Sequence, residues 1–138
     1  MAKTYSFEVH TPYRLFYSDN VEGIVLTLVD GEIGIFANHY PIIAPVRTGI
    51  LKIKNKEGVW KPVFISDGFL EVKPNKTILV VDAAELPEEI NYERVMEAKK
   101  TAEDVLSNNP FKFEAESARA ALKRAEYRLK VYNTRQQV

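Results

Sequence analysis

The stretch from residue 78 to residue 106, ILVVDAAELPEEINYERVMEAKKTAEDVL, changes character in its middle. Ile78 to Val81 is an apolar run of strand length. From Tyr92 onward, Val95, Ala98, Ala102 and Val105 recur at spacings of three and four, the period of one helix face. The switch falls near Glu85 to Glu89. Every glycine of the chain lies before it, among residues rich in Val, Ile, Phe and Tyr; after it Ala, Glu, Lys and Arg dominate. The patterning predicts an α+β chain: an N-terminal β-sandwich over residues 1–86, then an antiparallel two-helix hairpin over residues 87–138.

Upstream, Tyr5, Phe7 and Val9 alternate with Ser6, Glu8 and His10, a half-buried strand. Gly23 to Val29 is dense enough in apolar residues for a strand buried on both faces. Further strands are predicted at Gly49 to Lys54, Val59 to Ile65, Phe69 to Val72 and Thr77 to Val81. Pro62 makes the second of these an edge strand or a bulge site. Turns are predicted at Asp30-Gly31, Glu57-Gly58, Asp67-Gly68 and Pro74-Asn75. Short strands at this spacing favour a sandwich or barrel.

Downstream, one helix is predicted from Tyr92 to Leu106, with Asn91 as its N-cap. Ser107-Asn108-Asn109-Pro110 breaks it. Asn109 suits a cap and Pro110 the first position of a second helix, which runs from Phe111 to Tyr132. Ala115, Ala118, Leu122, Ala125, Leu129 and Tyr132 form its apolar seam. Alanine removes little area from water, so a hairpin with this seam should dock weakly and be open to displacement by a partner.

The 138 residues carry 19 Lys plus Arg against 19 Asp plus Glu, a balance that argues against a generic nucleic-acid binder. No cysteine is present, which excludes disulfides and thiolate catalysis. The opening MAKTYSFEVH is no secretory signal, and no stretch reaches the ~20 apolar residues of a bilayer span. A soluble chain is expected, with any membrane association through partners.

Catalytic chemistry is not legible. Gly31-Glu32-Ile33-Gly34 lacks the Lys and Ser or Thr of a phosphate-binding loop and reads as a tight turn. His10 and His39 form no metal-ligand pattern, so no metal and no catalytic residue is assigned. The second helix is more informative. From Ser117 onward its charges are Arg119, Lys123, Arg124, Arg128, Lys130 and Arg135 against Glu126 alone. By composition this is a solvated face, or a surface for an acidic partner.

A series of short motifs then carries a family resemblance over nearly the whole chain. Val9-His10-Thr11-Pro12 opens it, followed by Gly31-Glu32-Ile33-Gly34, His39-Tyr40-Pro41 and Gly49-Ile50-Leu51. Ser66 to Val72, with Asp67 where a first glycine is usual, and Ala84-Glu85 before the helices complete it. In this order the motifs resemble the epsilon subunit of bacterial and chloroplast F-type ATP synthases. The resemblance implies a non-catalytic rotor subunit of the central stalk. The sandwich would bind the gamma subunit and rest on the c-ring, at the cytoplasmic face of the cell membrane. The hairpin would inhibit ATP hydrolysis by extending towards acidic segments of the beta subunits, with Lys123, Arg124 and Arg128 as the contacts. Some members bind ATP through Ile-Asp-x-x-Arg-Ala. The matching stretch here is Ile90-Asn91-Tyr92-Glu93-Arg94-Val95. Glu85, Asn91, Arg94, Arg124 and Arg128 would form a degenerate site. Asn91 lacks the acid's charge, Val95 is bulkier than alanine, and Thr101 stands where some members have arginine, so weak or absent ATP binding is expected and no cofactor is assigned.

Two rival readings remain at the level of residues. One is a free-standing ligand-binding β-sandwich with a helical tail, such as a carbohydrate-binding module using Trp60 as a platform. The other is a small enzyme, against which the missing nucleophile, metal cluster and phosphate loop count.

Overall fold

A computed structural model describes residues 3–136. The chain divides into two compact units between Glu85 and Leu86.

Among the described residues the first unit holds nine strands: β1 Tyr5–His10, β2 Leu15–Leu28, β3 Gly31–Phe36, β4 Ile42–Val46, β5 Gly49–Asn55, β6 Trp60–Ile65, β7 Gly68–Lys73, β8 Lys76–Val81 and β9 Ala84–Glu85. Pairing runs β1-β8-β7-β4-β2-β5-β6-β9, with β3 beside β2 and β1 also paired to β2. Among the described residues only β1 and β8 pair in parallel. The long β2 pairs with four other strands, β1, β3, β4 and β5. Leu15 to Val21 pair with β1, and Gly23 to Leu28 pair with β3. A register shift between Val21 and Gly23 leaves Glu22 unpaired against β5, a bulge of the kind that bends a strand. The Leu28–Val46 bridge to β4 closes the circuit. Inside lie Phe7, Val9, Ile24, Leu26, Ile35, Leu51, Leu70 and Leu79, all fully buried.

The alternation predicted for β1 is present, with Phe7 and Val9 facing the core, and β5, β7 and β8 alternate in the same way, with Leu51 and Ile53, Leu70 and Val72, and Leu79 and Val81 turned inward. Pro62 pairs only towards β5, because β9 reaches β6 at Phe64 and Ile65 alone. It therefore sits at a local edge, where a missing N–H leaves no gap in the ladder.

In this unit the structure departs from expectation in three places. Gly31 to Gly34 is not a tight turn. Only Gly31 turns (φ 123°), and residues 31 to 36 form β3. Gly34 stays in the strand because the Phe36 ring folds back over it: a Cβ at Gly34 would lie 2.9 Å, and one at its neighbour Gly23 2.4 Å, from that ring. Second, β2 is not buried on both faces. Ile24 and Leu26 face the core, while Val25 and Thr27 are half-buried. Third, β4 and β9 lie in segments with no predicted strand.

The second unit opens with a 3-10 turn at Pro87–Glu89 and continues as α1 Tyr92–Ser107 and α2 Lys112–Asn133. Asn91 caps α1 as expected, its side-chain oxygen accepting the Arg94 N–H at 3.1 Å. The helices pack antiparallel: the Tyr92 and Tyr132 rings, at opposite sequence ends, stand 5.2 Å apart. Asn109 and Pro110 do not start α2. Asn109 takes φ 49°, the left-handed position just beyond a helix end, and Phe111 is the N-cap residue. The polar break serves α1 instead. Ser107 Oγ and Asn108 Nδ2 both donate to the Asp104 carbonyl at 2.9 Å, which satisfies an acceptor the helix leaves open.

Candidate interaction surfaces

The outer face of β4, β7, β8 and β1 is built by pairing register. Strand parity turns Leu70, Val72, Leu79 and Val81 inward, so Phe69, Glu71, Ile78 and Val80 point out. Pro45, Phe69, Val80 and His10 then form one cross-strand row, and Ile43, Glu71, Ile78 and Glu8 the next. Ile43 is 74% exposed, Phe69 61% and Val80 51%. Three large apolar side chains from three strands, this open and this close, make a patch of the kind that marks an association surface. A recess of about 430 Å3 beside Phe69 and Val80 extends it towards Val29 and Arg47.

The polar border of the patch is paired within itself. Lys76 Nζ lies 2.7 Å from Glu8 Oε2, and His10 Nε2 lies 2.8 Å from Glu8 Oε1. Lys73 Nζ lies 3.7 Å from Glu71 Oε1. The Lys76 hydrogen bond, then that of His10, holds the Glu8 carboxyl below its ordinary range. An apolar centre with a satisfied polar rim is the anatomy of a protein interface. Asp67, the departure from the motif series, anchors the end of β4: its Oδ1 accepts the Thr48 backbone N–H at 2.7 Å and the Thr48 hydroxyl at 2.8 Å.

In the hairpin, Ala98, Thr101, Ala102 and Val105 of α1 face Phe113, Ser117, Ala118 and Ala121 of α2 across an open groove of about 620 Å3. The alanines leave it unfilled, and Ala98, expected in the seam, is exposed at its wall. Arg94 reaches the groove together with Thr101. Arg124 and Arg128 do not line it; they follow Ala121 by about one and two turns. Asn91 is committed as a cap, and Glu85 lies in β9, in the first unit.

The basic residues of α2 fall into two sets. At ~100° per residue, Arg119, Lys123 and Lys130 lie within about 40° of one another, and all three are exposed. Arg124 and Arg128 lie about 100° or more from Lys123 and are half-buried. Lys123, Arg124 and Arg128 therefore do not share a face.

Among the described residues no three side chains are grouped to hold a metal ion. Among the same residues no helix is long and apolar enough to cross a membrane. Trp60 is 44% exposed, and the Lys54 ammonium stands over its ring at 6.0 Å, where a sugar would stack.

Comparison with known proteins matches both halves of the chain. Residues 4–87 match the family profile "ATP synthase, Delta/Epsilon chain, beta-sandwich domain" and residues 88–133 match "ATP synthase, Delta/Epsilon chain, long alpha-helix domain". The ATP synthase epsilon chain of Caldanaerobacter subterraneus subsp. tengcongensis is 45% identical over 139 residues, covering all of both chains. That of Caldicellulosiruptor bescii is 50% identical over 127 residues, 92% of each. Two solved assemblies share the fold. A chain of the Euglena gracilis mitochondrial ATP synthase (OSCP/F1/c-ring) aligns at TM-score 0.78 and 22% identity, over 92% of this chain and 79% of that one. A chain of the Tetrahymena thermophila mitochondrial ATP synthase central stalk/c-ring aligns at TM-score 0.59 and 16% identity, over 95% and 98%. With both domains matched in order and close relatives covered end to end, the chain belongs to the ATP synthase delta/epsilon chain family.

Proposed function

We propose that this chain is the non-catalytic epsilon subunit of the central stalk of an F-type ATP synthase, a rotor part that couples ion-driven rotation to ATP synthesis. The observation that carries this reading is the end-to-end match to epsilon chains, through the sandwich and the helices alike. The sandwich, residues 1–86, binds the gamma subunit through its outer β4–β7–β8 face and rests on the c-ring. The open Ile43, Phe69 and Val80 side chains support this, because covering them removes apolar area from water at about 25 cal/mol per Å2. The subunit sits at the cytoplasmic face of the cell membrane, held there by its partners.

The hairpin, residues 87–138, is regulatory and inhibits ATP hydrolysis by presenting Lys123, Arg124 and Arg128 to acidic segments of the beta subunits. Lys123 leads this contact, since it projects with Arg119 and Lys130 from an exposed face. ATP binds the hairpin weakly or not at all. In support, the Asn91 oxygen is occupied by the Arg94 N–H, and Arg124 and Arg128 stand outside the groove that Arg94 lines.

Deleting everything after Pro87 tests both roles. Assembly into the synthase should survive and ATP hydrolysis should rise. Unchanged hydrolysis would remove the hairpin as a brake, and failed assembly would remove the sandwich as the docking unit.

A further inference from the structure

At the end of the hairpin away from its turn, three side chains stack. We infer that this Tyr92–Tyr132–Arg135 stack is a latch: it holds the free end of α2 against the start of α1, and its breaking frees α2 to move as the arm of the brake. This rests on the proposal that the hairpin inhibits ATP hydrolysis.

The latch is built from these side chains and one short turn. Tyr92 is the first residue of α1, and Tyr132 lies in the last turn of α2. Their ring centroids stand 5.2 Å apart with 32° between the planes. At that spacing aromatic rings attract beyond the area they bury. The Arg135 guanidinium lies over the Tyr132 ring, 3.8 Å from its centroid, where a cation is drawn to the ring face. A 3-10 turn at Thr134–Gln136 carries Arg135 off the end of α2. The Thr134 hydroxyl fastens that turn by donating to the Val131 carbonyl at 2.6 Å. Arg135, which the sequence groups with the basic run, therefore serves the hairpin itself.

The rest of the hairpin offers little that could replace the stack. Ala98, Thr101 and Ala102 face Ser117, Ala118 and Ala121 across an unfilled groove. Alanine contacts remove little area from water. Near the turn, Phe111 is 82% exposed and Phe113 81%, so neither ring clamps the two helices together.

Position gives the stack its leverage. The helices are joined only through residues 108–111, and Tyr132 lies about 30 Å from the start of α2 at ~1.5 Å per residue. A hairpin hinged at its turn separates most at the opposite end. Wide opening must therefore break the Tyr92–Tyr132 contact, and the open form forgoes the whole of it. Together the ring pair and the guanidinium should favour the closed form on the order of tenfold, about 1.4 kcal/mol. A shift of that size takes an open population of about 1% to about 9%.

The chain has no cysteine, so Ala118→Cys places a single thiol in the groove wall, at a position 7% exposed in the closed hairpin. Its rate of modification by a thiol reagent, in the full chain, follows the open fraction. In that background Tyr132→Leu keeps apolar bulk and helix propensity but removes the ring, and should raise the rate on the order of tenfold. Tyr132→Phe keeps the ring and should match the parent. Arg135→Gln should raise the rate about threefold. Helix content by circular dichroism should be equal in all four proteins. Added to the F1 sector of the same organism's synthase stripped of this subunit, Tyr132→Leu should inhibit ATP hydrolysis more strongly than the parent. A parental rate in Tyr132→Leu or Arg135→Gln, a Tyr132→Phe rate as high as that of Tyr132→Leu, or helix loss in place of opening would each overturn the latch. A raised rate with unchanged hydrolysis would keep the latch and remove the hairpin as a brake.

Discussion

Gly68 is where two strands come too close for any side chain. Its backbone needs no left-handed conformation, so alanine is excluded by space alone. A Cβ built there lies 1.9 Å from the Val80 carbonyl oxygen and 2.8 Å from both the Val80 carbonyl carbon and the Val81 Cα. Carbon and oxygen ordinarily approach to about 3.3 Å. In Gly68→Ala, β7 and β8 must therefore part locally by about 1 Å or more. A side chain cannot swing away to absorb this, because the three nearest atoms met are all backbone. The separation weakens the ladder beside Gly68 and the Asp82 N–H to Asp67 carbonyl bond, at about 1 kcal/mol per hydrogen bond lost. It also disturbs Leu70, Leu79 and Val81, at about 1–3 kcal/mol for overpacking. The unfolded chain loses freedom on going from glycine to alanine, which returns about 0.4–1 kcal/mol. The net loss should be about 2–4 kcal/mol. For a domain of this size that lowers Tm by roughly 10–25 °C. Thermal unfolding followed by circular dichroism reads it directly. Gly23→Ala is the internal control, since its clash at 2.4 Å is with the half-exposed Phe36 ring, which can swing away; it should cost less than about 1 kcal/mol. A Gly68→Ala protein within 3 °C of the parent would refute the reasoning.

Three further changes probe other parts of the structure. Asp67→Ala strips the Thr48 N–H and hydroxyl of their shared acceptor and should cost about 2–3 kcal/mol by urea unfolding, with Asp67→Asn recovering part of it. Tyr5 donates its hydroxyl to the Ile35 carbonyl at 2.6 Å, and burial raises its pKa; that raises the folded above the unfolded value, so its contribution is complete at neutral pH and is lost as pH climbs beyond about 10. Tyr5→Phe should lose about 1 kcal/mol at pH 7 and lack this alkaline loss, which urea midpoints at pH 7 and above pH 10 would compare. Asn91→Ala removes the cap of α1 and should cost about 1 kcal/mol locally, seen as faster hydrogen exchange at the Arg94 amide. An unchanged rate there would show that the cap bond does not hold the helix start.

Segments whose own pattern dictates their structure were legible, and segments recruited by pairing were not. Phe7 and Val9 alternate with polar neighbours, so β1 is readable in isolation. Ile42-Ile43-Ala44-Pro45-Val46 has no such alternation, yet β7 pairs with all of it and makes it a strand. Leu15 to Glu22 contains Ser18, Asp19 and Asn20 and looks like a loop, but β1 hydrogen-bonds along it. Asn109 could equally start one helix or end another; only its backbone angle, with Asp104 capped just before it, assigns it to α1. At the candidate sites the basic run of α2 was visible, but the half-burial of Arg124 and Arg128 was not, because burial depends on what packs beside a helix.

By itself the sequence determined the order of a strand module and a helix pair, the bounds of α1 and its cap, and the basic excess near the C-terminus, since propensity, periodicity and charge act over a few residues. The tertiary structure alone decided that Ile43, Phe69 and Val80 share one open face, that Lys76 completes the pairing of Glu8 with His10, and that Gly68 lies against Val80. Each of these joins residues distant along the chain, and their meeting is set by strand register, to which each local stretch contributes only its own half.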